Sequence, residues 1–142
     1  MANSISITGG KVAEQQLAIE CIDWCIKELL PKYRTLAINV RLKDMEDHGC
    51  CYNLADHGRT FKLALKKGLG IYELISTICH EMVHVKQYAK KELRWCNQKN
   101  NNMWKASIKN DVAYEEQPWE KEACRLEQKL AIKFFTTCAS TL

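Results

Sequence analysis

The sequence predicts a single α+β domain over residues 1–142, with one helix, three strands and two further helices in that order. Two observations lead to this fold class. Apolar residues recur at helical spacing in three separate segments, and they alternate with polar residues between the first and second of them. Because an alternating strand buries one face, we expect a small three-stranded sheet that packs against the helices.

The first helix is predicted over residues 11–30. Pro31 follows it, where a helix ends because proline has no N–H to donate. The apolar residues that recur about one turn apart are Val12, Leu17, Ile19, Ile22, Ile26 and Leu29.

The three strands are predicted from period-two alternation. Residues 35–42 (TLAINVRL) form a half-buried strand, and a polar connection leads to Gly49. Residues 50–55 (CCYNLA) and 60–66 (TFKLALK) flank the segment 56–59 (DHGR), which has the composition of a turn. The second and third strands are therefore expected to form a hairpin.

Two helices complete the domain. Gly68 and Gly70 interrupt the chain before a long helix over residues 71–93. The Asn- and Lys-rich segment 96–111 is typical of an exposed loop. Pro118 then occupies the first turn of a last helix that extends to about residue 136.

Composition excludes several classes of protein. The 142 residues are 46% hydrophobic and 27% charged, with a net charge of +4, which is typical of a soluble globular protein and too weakly basic to indicate nucleic-acid binding. No apolar run approaches the length of about 18 residues that a membrane-spanning helix needs. The N-terminal residues lack the pattern of a secretory signal, so we expect a cytoplasmic location.

The eight cysteines are expected to be reduced thiols, most of them small buried hydrophobic residues. No two of them form a CxxC pair, so the spacing offers no support for a zinc ribbon or zinc finger.

The segment 77–88, TICHEMVHVKQY, contains an HExxH motif. His80 and His84 stand one turn apart on a helix, so both rings can bind one zinc ion at about 2.0–2.1 Å. Glu81 lies about 100° round the helix, where its carboxylate can accept a proton from a water in the open fourth position. The motif therefore predicts two Zn²⁺ ligands and a general base.

The alternative is a helix that carries two ordinary histidines. The motif stands among apolar neighbours, which predict a largely buried helix: Ile75, Ile78, Val83 and Val85. Burial of two histidines and a glutamate costs free energy unless a partner satisfies them, and a metal ion is the simplest partner. This context favours the metal site.

The third ligand is expected in the first turns of the last helix, at Glu120 or Glu122. Early glutamates also complement the helix dipole, so their presence alone does not require a metal. Two residues apart on a helix, the two side chains point about 200° from each other. Ala123 continues the face of Glu120, whereas Glu122 is expected to face Lys129 and solvent, so Glu120 is the predicted ligand.

These motifs resemble zincin metallopeptidases. ELISTICHEMVHVKQY followed by PWEKEA is similar to the metal helix and glutamate helix of minimal gluzincins and of SprT-like and phage-encoded metallopeptidase domains, over residues 49–126. The resemblance implies a zincin-like fold and a zinc peptidase with Zn²⁺ bound by His80, His84 and Glu120 and with Glu81 as base. Cys124 stands where gluzincins often have an aspartate that supports a histidine, and the third histidine of the SprT pattern is absent.

The same resemblance extends to the substrate. It implies that strand 50–55 lies at a sheet edge and pairs with an extended peptide, and that Tyr114 donates a hydrogen bond to the oxyanion as a catalytic residue. We therefore expect a peptide or protein substrate as the partner and no association with a membrane.

Two alternatives stay open: a catalytically idle zinc-binding interaction module, and a DNA-associated SprT-like protease. The second would use a basic strip made of Lys86, Lys90, Lys91, Arg94, Lys99, Lys105 and Lys109, although charged helix ends and loops are usually only solvated, so nucleic-acid binding is disfavoured.

Overall fold

The computed structural model describes residues 2–54, 59–96, 101–105, 107–108 and 113–138. These residues form an α+β fold with three α-helices, a four-stranded sheet and a three-stranded sheet, which confirms the predicted fold class. The elements in chain order are β1 (Ser4–Thr8), α1 (Val12–Leu29), β2 (Ala37–Lys43), β3 (Gly49–Asn53), β4 (Thr60–Lys66), α2 (Ile71–Ala89), β5 (Leu93–Cys96), β6 (Asn101–Trp104), β7 (Ser107–Ile108), a 3₁₀ turn (Tyr114–Glu116) and α3 (Pro118–Thr137).

The larger sheet has the strand order β1-β2-β4-β3. Strand β2 pairs in parallel with both β1 and β4, and β3 pairs antiparallel with β4 at the edge of the sheet. The predicted hairpin of β3 and β4 is thus confirmed, while residues 56–58 of its turn lie outside the described part of the chain.

The prediction of three strands is wrong for this sheet, because β1 precedes α1 as a fourth strand. The segment Ser4–Thr8 carries only two apolar residues, Ile5 and Ile7, which is too short a pattern to indicate a strand by itself. Pairing with β2 places this segment in the sheet: in the parallel register, Ile5 stands opposite Ile38 and Ile7 opposite Val40. Parallel pairing between segments about 30 residues apart is not visible in local sequence.

Helix α2 lies at the centre of the molecule, where it contacts α1, α3, β3 and β4. The four apolar residues that flank the HExxH motif are fully buried, as predicted: Ile75, Ile78, Val83 and Val85. Side chains from the sheet and all three helices form one continuous core around this helix. Within the described residues, no helix combines the length and the apolar character needed to cross a bilayer.

Helix α2 ends at Ala89, four residues earlier than predicted. Lys91 takes a positive φ of 60°, and the N–H of Glu92 donates to the carbonyl of Gln87 at 2.8 Å, so the chain reverses out of the helix there. Strand β5 then begins at Leu93.

The prediction of a loop over residues 96–111 is also wrong for the described part of that segment. Strand β6 pairs antiparallel with β5 and with β7, and the ring of Trp104 lies 6.4 Å from that of Trp119 in α3. Main-chain pairing with β5 outweighs the loop-like Asn and Lys composition here. Residues 97–100, 106 and 109–112 lie outside the described residues.

Candidate metal centre

Helices α2 and α3 pack against each other in opposite directions. The side chain of Ser76, early in α2, contacts Glu127 of α3, whereas Gln87, near the end of α2, contacts Trp119 at the start of α3. The antiparallel packing places the first turn of α3 beside the HExxH motif.

His80, His84 and Glu120 come together at this contact. The Nε2 atom of His80 lies 3.0 Å from Oε1 of Glu120, and Nε2 of His84 lies 3.1 Å from its Oε2. One ligand atom from each residue lies within 4.8 Å of the others, so the three residues could hold a metal ion. Tetrahedral zinc with bonds of about 2.0–2.1 Å places its ligand atoms about 3.3 Å apart, which this donor set fits.

Gln87 holds the ring of His84 from the other side. Its Oε1 accepts a hydrogen bond from His84 Nδ1 at 2.7 Å. The Nε2 atom of Gln87 donates to the carbonyl of Trp119 at 2.9 Å and to the carboxylate of Glu122 at 3.0 Å, so the orientation of the amide is determined. Because Nδ1 of His84 then carries a proton, Nε2 is the ring nitrogen that could bind a metal ion.

Glu127 supports the ring of His80 in the same manner. Its Oε1 lies 3.3 Å from His80 Nδ1, and its Oε2 accepts a hydrogen bond from the hydroxyl of Ser76 at 3.1 Å. Cys124, three residues before Glu127, is exposed. Glu127 is thus the residue of α3 that contacts Nδ1 of His80.

Glu122 does not face solvent as predicted. Its carboxylate lies 3.1 Å from Lys86 Nζ and accepts a hydrogen bond from Gln87, and its side chain is only 14% exposed. The prediction from helix face alone is wrong because α2 also covers the side of α3 that carries Glu122. Glu122 therefore contacts Gln87, the residue that holds the ring of His84.

Glu81 is buried beside the cluster, with 6% of its surface exposed. Strand β3 passes directly over it: a Cβ atom on Gly49 would lie 3.3 Å from Cγ of Glu81 and 2.8 Å from Cγ2 of Thr77. Burial raises the pKa of Glu81 above its usual range, against the opposing effect of His84 and His80. A carboxyl group with a raised pKa is a better proton acceptor than an ordinary glutamate.

A cleft of about 690 Å³ opens over the cluster. Its walls include the edge strand β3 on one side and the start of α3 on the other, with Gly49, Cys50, Cys51, Trp119 and Glu120 among the lining residues. Of the two upstream histidines, His48 also lines the cleft, and His57 lies outside the described residues.

Two tyrosines line the cleft. The hydroxyl of Tyr114 donates to Oε1 of Glu120 at 2.9 Å, although 61% of the residue is exposed. Tyr88 lies one turn beyond His84 on α2, and burial raises its pKa to about 12. Sequence reasoning selected Tyr114 and missed Tyr88, although its spacing of four from His84 placed it on the same helix face.

The carboxylates around His80 stabilise positive charge on its ring. Burial alone would lower the pKa of His80, but its hydrogen bond to Glu120 and the negative charges around it raise this pKa to about 9. Burial alone would raise the pKa of Glu120, yet hydrogen bonds with both histidines hold that pKa well below its usual range. The pocket therefore stabilises positive charge on the nitrogen side and a carboxylate opposite it.

The proposed basic strip is divided in the structure. Lys86 is 15% exposed and pairs with Glu92 at 2.8 Å as well as with Glu122, so it belongs to the interior of the α2–α3 contact. Lys99 and Lys109 lie outside the described residues. The members that the structure describes as exposed are Lys90, Lys91, Arg94 and Lys105.

Comparison of the chain with protein-family models, with curated proteins and with solved structures finds no match. Fold and site together thus define an α+β protein with a cluster of two histidines and a glutamate that could hold a metal ion.

Proposed function

We propose that this protein is a zincin-like, zinc-dependent metallopeptidase that hydrolyses peptide bonds. One observation carries the proposal: a His₂Glu ligand set and a separate buried glutamate share one open cleft. Catalytic zinc sites have three protein ligands and keep a further position for water or substrate, whereas structural sites are usually closed by four. His80, His84 and Glu120 supply three ligands, and Glu81 supplies a base that a structural site would not need.

In this proposal His80, His84 and Glu120 would hold a zinc ion, which would supply a Lewis acid for a water molecule and for the scissile carbonyl group. Glu81 would accept the proton of the attacking water and deliver it to the amide nitrogen of the leaving group. Gln87 and Glu127 keep the two imidazole rings in the orientation that presents Nε2 to the ion.

The substrate in this proposal is an extended peptide segment. Strand β3 is at the edge of its sheet and lines the cleft, so its outer main-chain groups can pair with a peptide laid along it. The hydroxyl of Tyr114, which already contacts Glu120, donates to the developing oxyanion.

The two alternatives make different demands on the site. An idle zinc-binding module has no use for Glu81, whose burial costs free energy that a neutral residue would avoid. A DNA-associated protease needs a continuous basic surface, and the engagement of Lys86 in two ion pairs removes one member of the strip. Both observations favour a zinc-dependent peptidase that does not act through DNA binding.

The test compares the native chain with Glu81→Gln. Both proteins are purified without added zinc, their metal content is measured by mass spectrometry, and hydrolysis of an unfolded protein is followed by gel electrophoresis and by release of amino termini. We expect one zinc per chain in both and hydrolysis that falls on the order of a hundredfold or more in the variant.

Glu73→Gln provides a control on the same helix, because Glu73 lies in the first turn of α2, away from the cleft. It should retain both zinc and activity. Zinc binding by the native chain without hydrolysis that depends on Glu81 would support the idle module instead.

A further inference from the structure

Three cysteine side chains meet inside the core, between α1 and α2. Cys21 and Cys25 stand one turn apart on α1, and Cys79 faces them from α2. All three residues are fully buried, with no exposed surface. Their sulfur atoms lie within 4.8 Å of one another, and the Cys25 and Cys79 sulfurs are 3.9 Å apart. The expectation that most cysteines are buried holds for these three and is wrong for the other four that the structure classifies, which are half-buried or exposed. Apolar packing alone does not require three sulfurs to converge on one point.

We propose that Cys21, Cys25 and Cys79 form a second metal site, which binds one Cu(I) ion through three sulfur atoms. This site is independent of the cleft and of the peptidase activity proposed for it. It shares no ligand with the cluster of two histidines and a glutamate.

The spacing of the sulfurs fits an ion at their centre. Metal–sulfur bonds of about 2.3 Å, the length found for zinc thiolates, place three sulfurs in a plane about 4.0 Å apart. The separation of 3.9 Å between the Cys25 and Cys79 sulfurs is already close to this distance. The other two separations are at most 4.8 Å, so the sulfurs need to move together by less than about 1 Å.

The number of ligands and the burial select a monovalent ion. Structural zinc is almost always four-coordinate, and among the described residues this cluster provides three ligand atoms. Soft sulfur ligands favour Cu(I). When Cu(I) replaces one thiol proton, which leaves to solvent, the complex of one thiolate and two thiols is neutral. A divalent ion reaches neutrality only when two thiols lose their protons, whereas Cu(I) needs one thiolate in this apolar core, where each buried charge costs free energy.

The proposed ion would join two helices that are distant in sequence. Cys79 directly precedes His80, so a sulfur bridge from α1 would restrain the helix that carries the HExxH motif. We expect Cu(I) to raise the midpoint of thermal unfolding, since a ligand that binds the folded state more tightly than the unfolded chain stabilises the folded state by mass action. Uptake requires transient separation of α1 from α2, because the thiols are inaccessible in the folded chain.

The test is an anaerobic titration of the full chain with Cu(I) in competition with bicinchoninate, on folded protein and on protein refolded in the presence of Cu(I). Because refolding in the presence of Cu(I) lets the ion reach the thiols before the core closes, weak binding in that sample cannot be explained by slow entry of the ion. We expect one tightly held Cu(I) per chain, an X-ray absorption spectrum with three sulfur neighbours, and a raised unfolding midpoint. Cys25→Ala should lose this equivalent.

Two control variants locate the ion. Cys138→Ala changes a half-buried thiol outside the cluster, and His84→Ala changes the cleft; both should keep the equivalent with the same spectrum. Absence of binding to the native chain, nitrogen or oxygen neighbours in the spectrum, or equal binding by Cys25→Ala would overturn the proposal. If circular dichroism shows that Cys25→Ala is unfolded, the spectrum and the unfolding midpoint of the native chain decide without it.

Discussion

Replacement of Gln87 by methionine tests how the structure positions His84. Methionine is similar in size but cannot hydrogen-bond as an amide does. The variant removes the acceptor for His84 Nδ1 at 2.7 Å and the donor to the Trp119 carbonyl at 2.9 Å. Glu122 loses a bond to Gln87 but keeps Lys86 at 3.1 Å, so it retains a partner. His84 Nδ1 is thus left without its buried partner, whereas the carbonyl of Trp119 keeps the helical N–H donor four residues later in α3.

The expected cost follows from this one group. A buried polar group without a partner costs about 1–3 kcal/mol, so we expect Gln87→Met to lower the free energy of unfolding by about that amount. Loss of the support for a ligating histidine typically weakens metal binding about 10–100-fold. We therefore expect the zinc affinity to fall by that factor, which corresponds to about 1.4–2.8 kcal/mol of binding free energy.

The assays are urea unfolding followed by circular dichroism and competition for zinc with a chromophoric chelator. Ile38→Ala serves as the matched control, because Ile38 is fully buried in β2 and does not line the cleft. Its expected destabilisation of about 2–5 kcal/mol is similar or larger, but its zinc affinity should equal that of the native chain. If both variants bind zinc as tightly as the native chain, Gln87 contributes only to stability, and the argument from its hydrogen bond to His84 is refuted.

Three further predictions concern the cleft. Glu120→Ala should weaken zinc binding by at least about tenfold to a hundredfold, and Glu122→Ala by less; the opposite ranking in a chelator titration would show that Glu120 is not the ligand. Gly49→Ala should lower the free energy of unfolding by about 1–3 kcal/mol and slow hydrolysis with zinc retained, since the new Cβ meets Thr77 at 2.8 Å and Glu81 at 3.3 Å; unchanged turnover would mean that β3 does not position Glu81. Tyr114→Phe should keep zinc while kcat falls on the order of a hundredfold, and a kcat equal to that of the native chain would exclude an oxyanion role.

Local patterns predicted that His80, His84 and Glu120 lie close together. The spacing of His80 and His84 depends only on helix geometry, and the face argument that selected Glu120 needs only the positions of apolar residues in one helix. The structure brings these three residues together. Glu127 follows Glu120 by seven residues, two helical turns, so the same spacing argument applied once more would have placed it on the ligand face.

Local sequence patterns could not predict the features that depend on contacts between distant segments of the chain. Strand β1 has two apolar residues and owes its place to the register with β2. Strands β5 and β6 pair across a segment whose composition is typical of a loop. The contact of Gln87 with Trp119 and Glu122 depends on how α2 and α3 pack, which no single-helix pattern contains.

A crystal structure of the chain grown with zinc, with diffraction data collected on both sides of the zinc absorption edge, shows directly whether His80, His84 and Glu120 bind the ion. We predict one anomalous peak within bonding distance of Nε2 of His80, Nε2 of His84 and a carboxylate oxygen of Glu120, with Glu81 beside it but outside bonding distance. Crystals of His84→Ala should lack this peak. No peak between these three residues in the native crystals, or a peak bound directly by Glu81, would show that the predicted set of zinc ligands is wrong.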